Sequence, residues 1–192
     1  MAHCSAQNLL VNGSFELDPI TAGQTSAFGV SGWGGMNSQD AIRVLASSGW
    51  GQLPAALPDG VQALTAFASG VQISQVFTLQ ESTSFSFSIW NTLIPNSRGG
   101  AIPFLSSSVT ITDGTMGKGF DITASLNPGW QRHDWDVGTL APGTYALHIF
   151  LSSGLAYDNA SLVVVPEPGT VSLLGFGTVL LSLRWLHRRN AG

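Results

Sequence analysis

Between Asn8 and Val165 apolar and polar residues alternate with a period of two, interrupted at short intervals by Gly and Pro. Successive side chains on a strand point to opposite faces, so this alternation predicts half-buried strands rather than helices. In Ser84-Phe85-Ser86-Phe87-Ser88-Ile89-Trp90 the residues Phe85, Phe87 and Ile89 share one face and the serines the other, with Trp90 on the serine side. Tyr145, Leu147, Ile149 and Leu151 form one face of a second strand and leave His148 and Phe150 opposite. The pattern gives candidate strands at 8–12, 41–46, 61–67, 71–79, 83–92, 106–112, 129–137, 143–151 and 157–165. No amphipathic helix exceeds a turn or two. Short strands in this number predict an all-β fold, a two-layer antiparallel β-sandwich. The longer loops at 18–40 and 93–105 are the expected binding rim.

Composition sharpens this reading. Charged residues make up 9% of the 192 residues and hydrophobic ones 44%, a balance that favours strands and turns and argues against disorder. The net charge of -4 hides an asymmetry, because three of the seven basic residues, Arg184, Arg188 and Arg189, lie at the C-terminal end. Residues 1–165 hold ten acidic groups against four basic ones, which excludes a nucleic-acid partner that needs clustered Lys and Arg. Cys4 is the single cysteine, so neither an intrachain disulfide nor a Cys-rich zinc site can form.

The C-terminal end has an order of its own. Pro166-Glu167-Pro168 is followed by an uncharged run from Thr170 to Leu183 and then by the basic cluster Arg184, Arg188 and Arg189. The prolines cannot donate backbone hydrogen bonds and end the preceding strand in an extended peptide. As a helix, 170–186 reaches roughly 25 Å, marginal against a hydrocarbon core of about 30 Å. The arginines would hold that end in the cytoplasm and place the domain outside. This tail resembles the PEP-CTERM sorting signal. The resemblance implies an exosortase-type membrane protease as partner, transient anchoring in the inner membrane, and a final place at the cell surface or in the extracellular matrix of a Gram-negative bacterium. An exported protein needs a signal peptide, and Met1 to Ala6 is too short for one. Residues 1–7 therefore read as the remnant of a longer signal peptide with a mature terminus at Gln7, 8–165 as the β-sandwich, and 166–192 as the sorting tail.

Four segments resemble a second family: Asn8-Leu9-Leu10-Val11-Asn12-Gly13-Ser14-Phe15-Glu16, Val71-Gln72-Ile73-Ser74-Gln75-Val76-Phe77, Pro142-Gly143-Thr144-Tyr145 and Tyr157-Asp158-Asn159-Ala160-Ser161-Leu162. Together they look like the galactose-binding-like jelly rolls of carbohydrate-binding modules and bacterial surface domains. That resemblance implies that the first and last strands lie close together. It also implies a structural calcium with Glu16 and Asp158 as acidic ligands, Asp18 and Asn159 being weaker candidates. The alternative is that Glu16 and Asp158 bond loop amides.

Sugar recognition uses aromatic platforms flanked by polar groups. Trp33, Trp130 and Trp135 read as core or sheet-edge residues, which leaves Trp50, Trp90, His148 and Phe150 as candidate ligand contacts. His133, Asp134 and Asp136 cluster on one strand as a solvated edge, with no nucleophile elbow or phosphate loop beside them. The expected function is non-catalytic binding of polysaccharide or another extracellular polymer. The alternatives are a structural or adhesive module without a small-ligand site, and a glycan hydrolase with a carboxylate pair.

Overall fold

The structure, a computed structural model, describes residues 8–21, 24, 26–45, 53, 56–67, 70–94, 106–123 and 129–165. Ten strands follow in order: β1 (Ser26–Phe28), β2 (Ala41–Leu45), β3 (Gln62–Ala66), β4 (Val71–Leu79), β5 (Thr83–Leu93), β6 (Ser106–Thr112), β7 (Gly117–Thr123), β8 (Gln131–Leu140), β9 (Gly143–Leu151) and β10 (Leu155–Val164). They form a six-stranded sheet, β1-β2-β3-β10-β5-β8, and a four-stranded sheet, β4-β9-β6-β7. Every strand pairing is antiparallel. The two-layer antiparallel sandwich read from the alternation is therefore the fold.

The inner faces meet in one core. Phe85, Phe87 and Ile89 of β5 and Leu155 and Tyr157 of β10 pack with Ile73 of β4, Val109 and Ile111 of β6, and Leu147 and Ile149 of β9. A smaller apolar cluster lies on the outer face of the six-stranded sheet, where Ile42, Val44, Ala63 and Ala156 are covered by Leu53 and Leu57. One flank is closed by aromatic stacking: Trp135 of β8 lies against Phe87 (centroids 5.8 Å apart) and Phe120 of β7 (5.7 Å). His133 stacks on the same indole at 5.6 Å and 13°, and its Nε2 lies 3.0 Å from Asn91 Oδ1. His133 is thus half-buried against an indole rather than on a solvated edge, while Arg132, Asp134 and Asp136 are exposed.

Three differences from the sequence reading have local causes. Residues 8–12 are not a strand: Asn8 makes a single bridge to Val163 and the chain then turns. Asn12 and Phe15 adopt left-handed φ values of 54° and 61°, which breaks any strand there. Strand β1 lies inside what reads as a loop, held by pairing of Ala27 with Arg43 of β2. Strand β7, with only Phe120 and Ile122 as large apolar residues, is an edge strand defined by its pairing with β6. Segment 34–36 pairs with the free side of β4, where Gly34 and Ser74 exchange both backbone bonds, and so covers that sheet edge. Among the described residues no helix is long and apolar enough to cross a membrane. The expected C-terminal helix, with Pro166, Glu167, Pro168, Arg184, Arg188 and Arg189, lies outside the described residues.

Candidate functional site

The opening Asn-Gly-Ser-Phe-Glu segment and the closing Asp-Asn-x-Ser-Leu segment meet, as the resemblance implies. Leu9 N–H donates to Leu162 O (2.9 Å), and Ala160 N–H donates to Gly13 O (2.8 Å). Asn8 Oδ1 accepts from the N–H groups of Leu10 and Leu162. Asn12 accepts from Leu17 N–H and donates to Ser31 O, and Trp33 Nε1 donates to Asn12 O at 3.1 Å. Phe15 is fully buried with its ring 5.9 Å from that of Trp33. These side chains replace the ladder bonds that a first strand would have made.

Glu16 and Asp158 hold one loop from two sides. Glu16 Oε1 accepts from Val61 N–H (2.8 Å) and Gln62 N–H (2.6 Å), and Oε2 from Gln62 Nε2 (3.3 Å). Asp158 Oδ2 accepts from Asp59 N–H (2.9 Å) and Oδ1 from Asn159 N–H (2.7 Å). Asn159 is left-handed (φ 47°), at the bulge where the β10–β5 register shifts. The Asp158 side chain belongs to the outer face of the six-stranded sheet, yet it is fully buried. Burial, assisted by the Asp59 and Glu16 carboxylates, pushes its pKa from 3.8 up to about 7 against the pull of the two amide bonds. The donors are hard oxygens, which suits calcium. All four carboxylate oxygens nevertheless already accept N–H bonds, the alternative open at the outset, and among the described residues no three of His, Cys, Asp and Glu could together hold a metal ion. Buried this way, Asp158 cannot reach a substrate as a general acid.

The candidate aromatic contacts divide between the two layers. Trp90 is half-buried on the outer face of the six-stranded sheet, in register with Arg132 on β8 and Asp158 on β10. Arg132 pairs with Asp134 at 2.8 Å beside it. His148 and Phe150 lie on the outer face of the four-stranded sheet, so Trp90 and Phe150 cannot touch one compact ligand. Trp50 lies outside the described residues. Phe150, 38% exposed, has Gln72 of β4 and Ser108 of β6 as cross-strand partners, and Ser108 is paired in turn with Asp121 of β7. This row of Gln, Phe, Ser and Asp crosses all four strands beside a hollow of about 300 Å³. His148 Nδ1 contacts Gln72 Nε2 and so orients the amide next to the ring.

A larger hollow, about 420 Å³, opens where β1 and β2 meet the loop that carries Trp33. Arg43, Asp18, Phe28 and Gln39 border it. Sequence reading gave Asp18 only as a weak calcium candidate and counted Arg43 only as a charge. The available signal was Arg43 itself, a cation in the middle of the otherwise apolar strand Ala41-Ile42-Arg43-Val44-Leu45.

A family 61 carbohydrate-binding module, TmCBM61, solved in complex with β-1,4-galactotriose, aligns with 83% of this chain and 99% of its own at TM-score 0.56 and 14% identity. A CBM4 structure covers 81% of this chain and 99% of its own, with TM-score 0.41 and 14% identity. The enzymatically active domain of bacteriophage CBA120 tailspike protein 4 covers 82% of this chain but 21% of its own, with TM-score 0.47 and 9% identity. Comparison with curated proteins returned no match. Residues 164–189 match the family model for the PEP-CTERM protein-sorting motif, which marks an exported protein handled at the membrane. The chain carries this PEP-CTERM sorting motif behind a β-sandwich similar in fold to a carbohydrate-binding module.

Proposed function

We propose that this exported protein binds extracellular polysaccharide through its β-sandwich without cleaving it, and that an exosortase-type protease removes the sorting tail. The observation that carries the binding reading is the row across the four-stranded sheet. An exposed Phe150 ring lies between Gln72 and Ser108, with Asp121 beyond and a hollow alongside. A ring supports the apolar C–H face of a sugar while flanking amide, hydroxyl and carboxylate groups bond its hydroxyls. The TmCBM61 neighbour was solved with β-1,4-galactotriose, which makes galactan the first polymer to test. Phe150→Ala is expected to weaken polysaccharide binding about tenfold or more with the melting temperature nearly unchanged, since the ring is on an outer face. Calorimetric titration with galactan and related neutral polymers checks this. No binding to any of them would favour a structural or adhesive module, and release of reducing ends would favour a hydrolase.

Calcium at Glu16 and Asp158 is part of the same proposal, supported by their hard-oxygen chemistry and by the like charges that Asp59 and Glu16 direct at Asp158. It would tie the opening segment to β10 and lend no group to binding.

Processing has its own expected outcome. In a host with the matching protease, surface-released protein should lack everything beyond Pro168, whereas alanine at Pro166, Glu167 and Pro168 should leave the full chain in the membrane. Intact mass decides: released protein still containing Arg188 and Arg189 means that the tail is a plain anchor.

A further inference from the structure

Arg43 is 7% exposed, on the inward-facing side of β2. Its Nε donates to Gly29 O at 2.8 Å, while Nη1 is buried and has no hydrogen-bond partner among the described residues. A guanidinium carries five N–H donors, and a buried donor without an acceptor is costly to keep. Asp18 borders the same hollow and accepts from Ser31 N–H at 2.7 Å. The two charges face one hollow without forming an ion pair, since Arg132–Asp134 is the single ion pair among the described residues. Phe28 borders the hollow from the outer face, since it pairs with Ile42 rather than with Arg43, and packs edge-on against Phe67, centroids 5.8 Å apart. Gln39 stands exposed beside them.

We propose that this hollow is a second glycan site, which takes a neutral sugar through two adjacent hydroxyls held between Asp18 and Arg43. The inference rests on the glycan-binding reading above and adds a place and a ligand class. A vicinal diol fits the opposed charges because each hydroxyl both donates and accepts: one donates to the Asp18 carboxylate and its neighbour accepts from the Arg43 guanidinium. A uronate or sulfated sugar would satisfy Arg43 alone, and its charge would meet the Asp18 carboxylate. The site therefore selects neutral units. The hollow and the Phe150 row sit on different parts of the sandwich, so one chain would contact a polymer at two places and gain avidity without any new contact.

The test is calorimetric titration of the full chain in detergent with β-1,4-galactotriose, cellotriose and tri-galacturonate, using wild type, Asp18→Ala, Asp18→Asn and Phe150→Ala. Two equivalents of at least one neutral trisaccharide are expected for wild type, falling to one in Asp18→Ala and to one in Phe150→Ala. Asp18→Asn should newly take up tri-galacturonate, a gain that loosening of the fold would not produce. One equivalent in wild type, unchanged by Asp18→Ala but lost in Phe150→Ala, would overturn this second site and leave the Phe150 reading standing. Binding lost in Asp18→Ala and unchanged in Phe150→Ala would support this site and reject the other. No binding by any chain would reject both.

Discussion

Gly13→Ala should be among the most damaging single substitutions in the domain, with a loss of about 3 kcal/mol or more and a melting temperature lower by roughly 10 °C. A Cβ at Gly13 would stand 2.0 Å from the backbone oxygen of Ala160, well inside any tolerated contact. The obstacle is the main chain of β10, which cannot rotate away as a side-chain tip could. Relief requires the opening segment to move off β10, and that movement breaks the bond from Ala160 N–H to Gly13 O and the contacts of Asn8 with Ala160 and Leu162. Gly60→Ala provides a graded comparison: it has a left-handed φ of 61°, but the atoms its Cβ would meet belong to the Glu16 side chain. Gly119→Ala provides the control, since its nearest neighbour, Thr110 Oγ1, is 4.0 Å away and the site is on an edge strand. Thermal melts of the three variants should rank Gly13 below Gly60 and Gly60 below Gly119. A Gly13→Ala melt equal to wild type would show that the opening segment is not held against β10.

That segment also shows where sequence reading stops. Leu9, Leu10 and Val11 form an apolar run that looks like strand, yet only Leu10 is buried and Val11 is 56% exposed. The segment is fixed by Asn8, Asn12 and Gln75, whose bonds to backbone groups tens of residues away leave no periodic trace. Strands β4, β5 and β9 were legible because long apolar faces must alternate to fill a core. Strand β7 was not, because an edge strand carrying Gly117, Lys118 and Gly119 has little apolar face to show. Alternation also places Trp90, His148 and Phe150 opposite the core of their own strands, but cannot say which layer each strand joins. That single unknown separates Trp90 from Phe150. Arg43 and Asp18 were harder still, since they are distant in sequence and their relation exists only once β2 and the opening segment are folded together.

Asp158 should give the protein a stability that falls as pH rises through about 7. Its pKa in the folded state is raised from 3.8 to about 7, so the folded state holds a proton that the unfolded chain releases. The stabilisation is therefore complete below about 4, the unfolded value, and is lost as the pH climbs through the folded one. A shift of this size corresponds to about 4 kcal/mol at most, or roughly 10 °C in melting temperature between pH 4 and 8. His133 acts in the opposite sense. Burial against Trp135 lowers its pKa despite the nearby Asp134, so its contribution is fully present above 6.5, the unfolded value, and is lost as the pH falls below it. Asp113, lowered to about 2 by the Met116 and Thr115 bonds, loses its contribution only below the pH range in question. His133 and Asp113 are unchanged in Asp158→Asn, so the difference between the wild-type and Asp158→Asn melting profiles isolates the buried acid. Calcium adds a second arm to the same experiment. An ion bound to Glu16 and Asp158 would hold Asp158 ionised and stabilise the folded state by mass action. The wild-type melting temperature at pH 8 should then rise with calcium and the profile should flatten, while Asp158→Asn responds little. Identical wild-type profiles in calcium and in chelator would reject the metal and leave amide bonding as the role of both carboxylates. A wild-type profile that matches Asp158→Asn from pH 4 to 8 would instead show that Asp158 does not hold its proton.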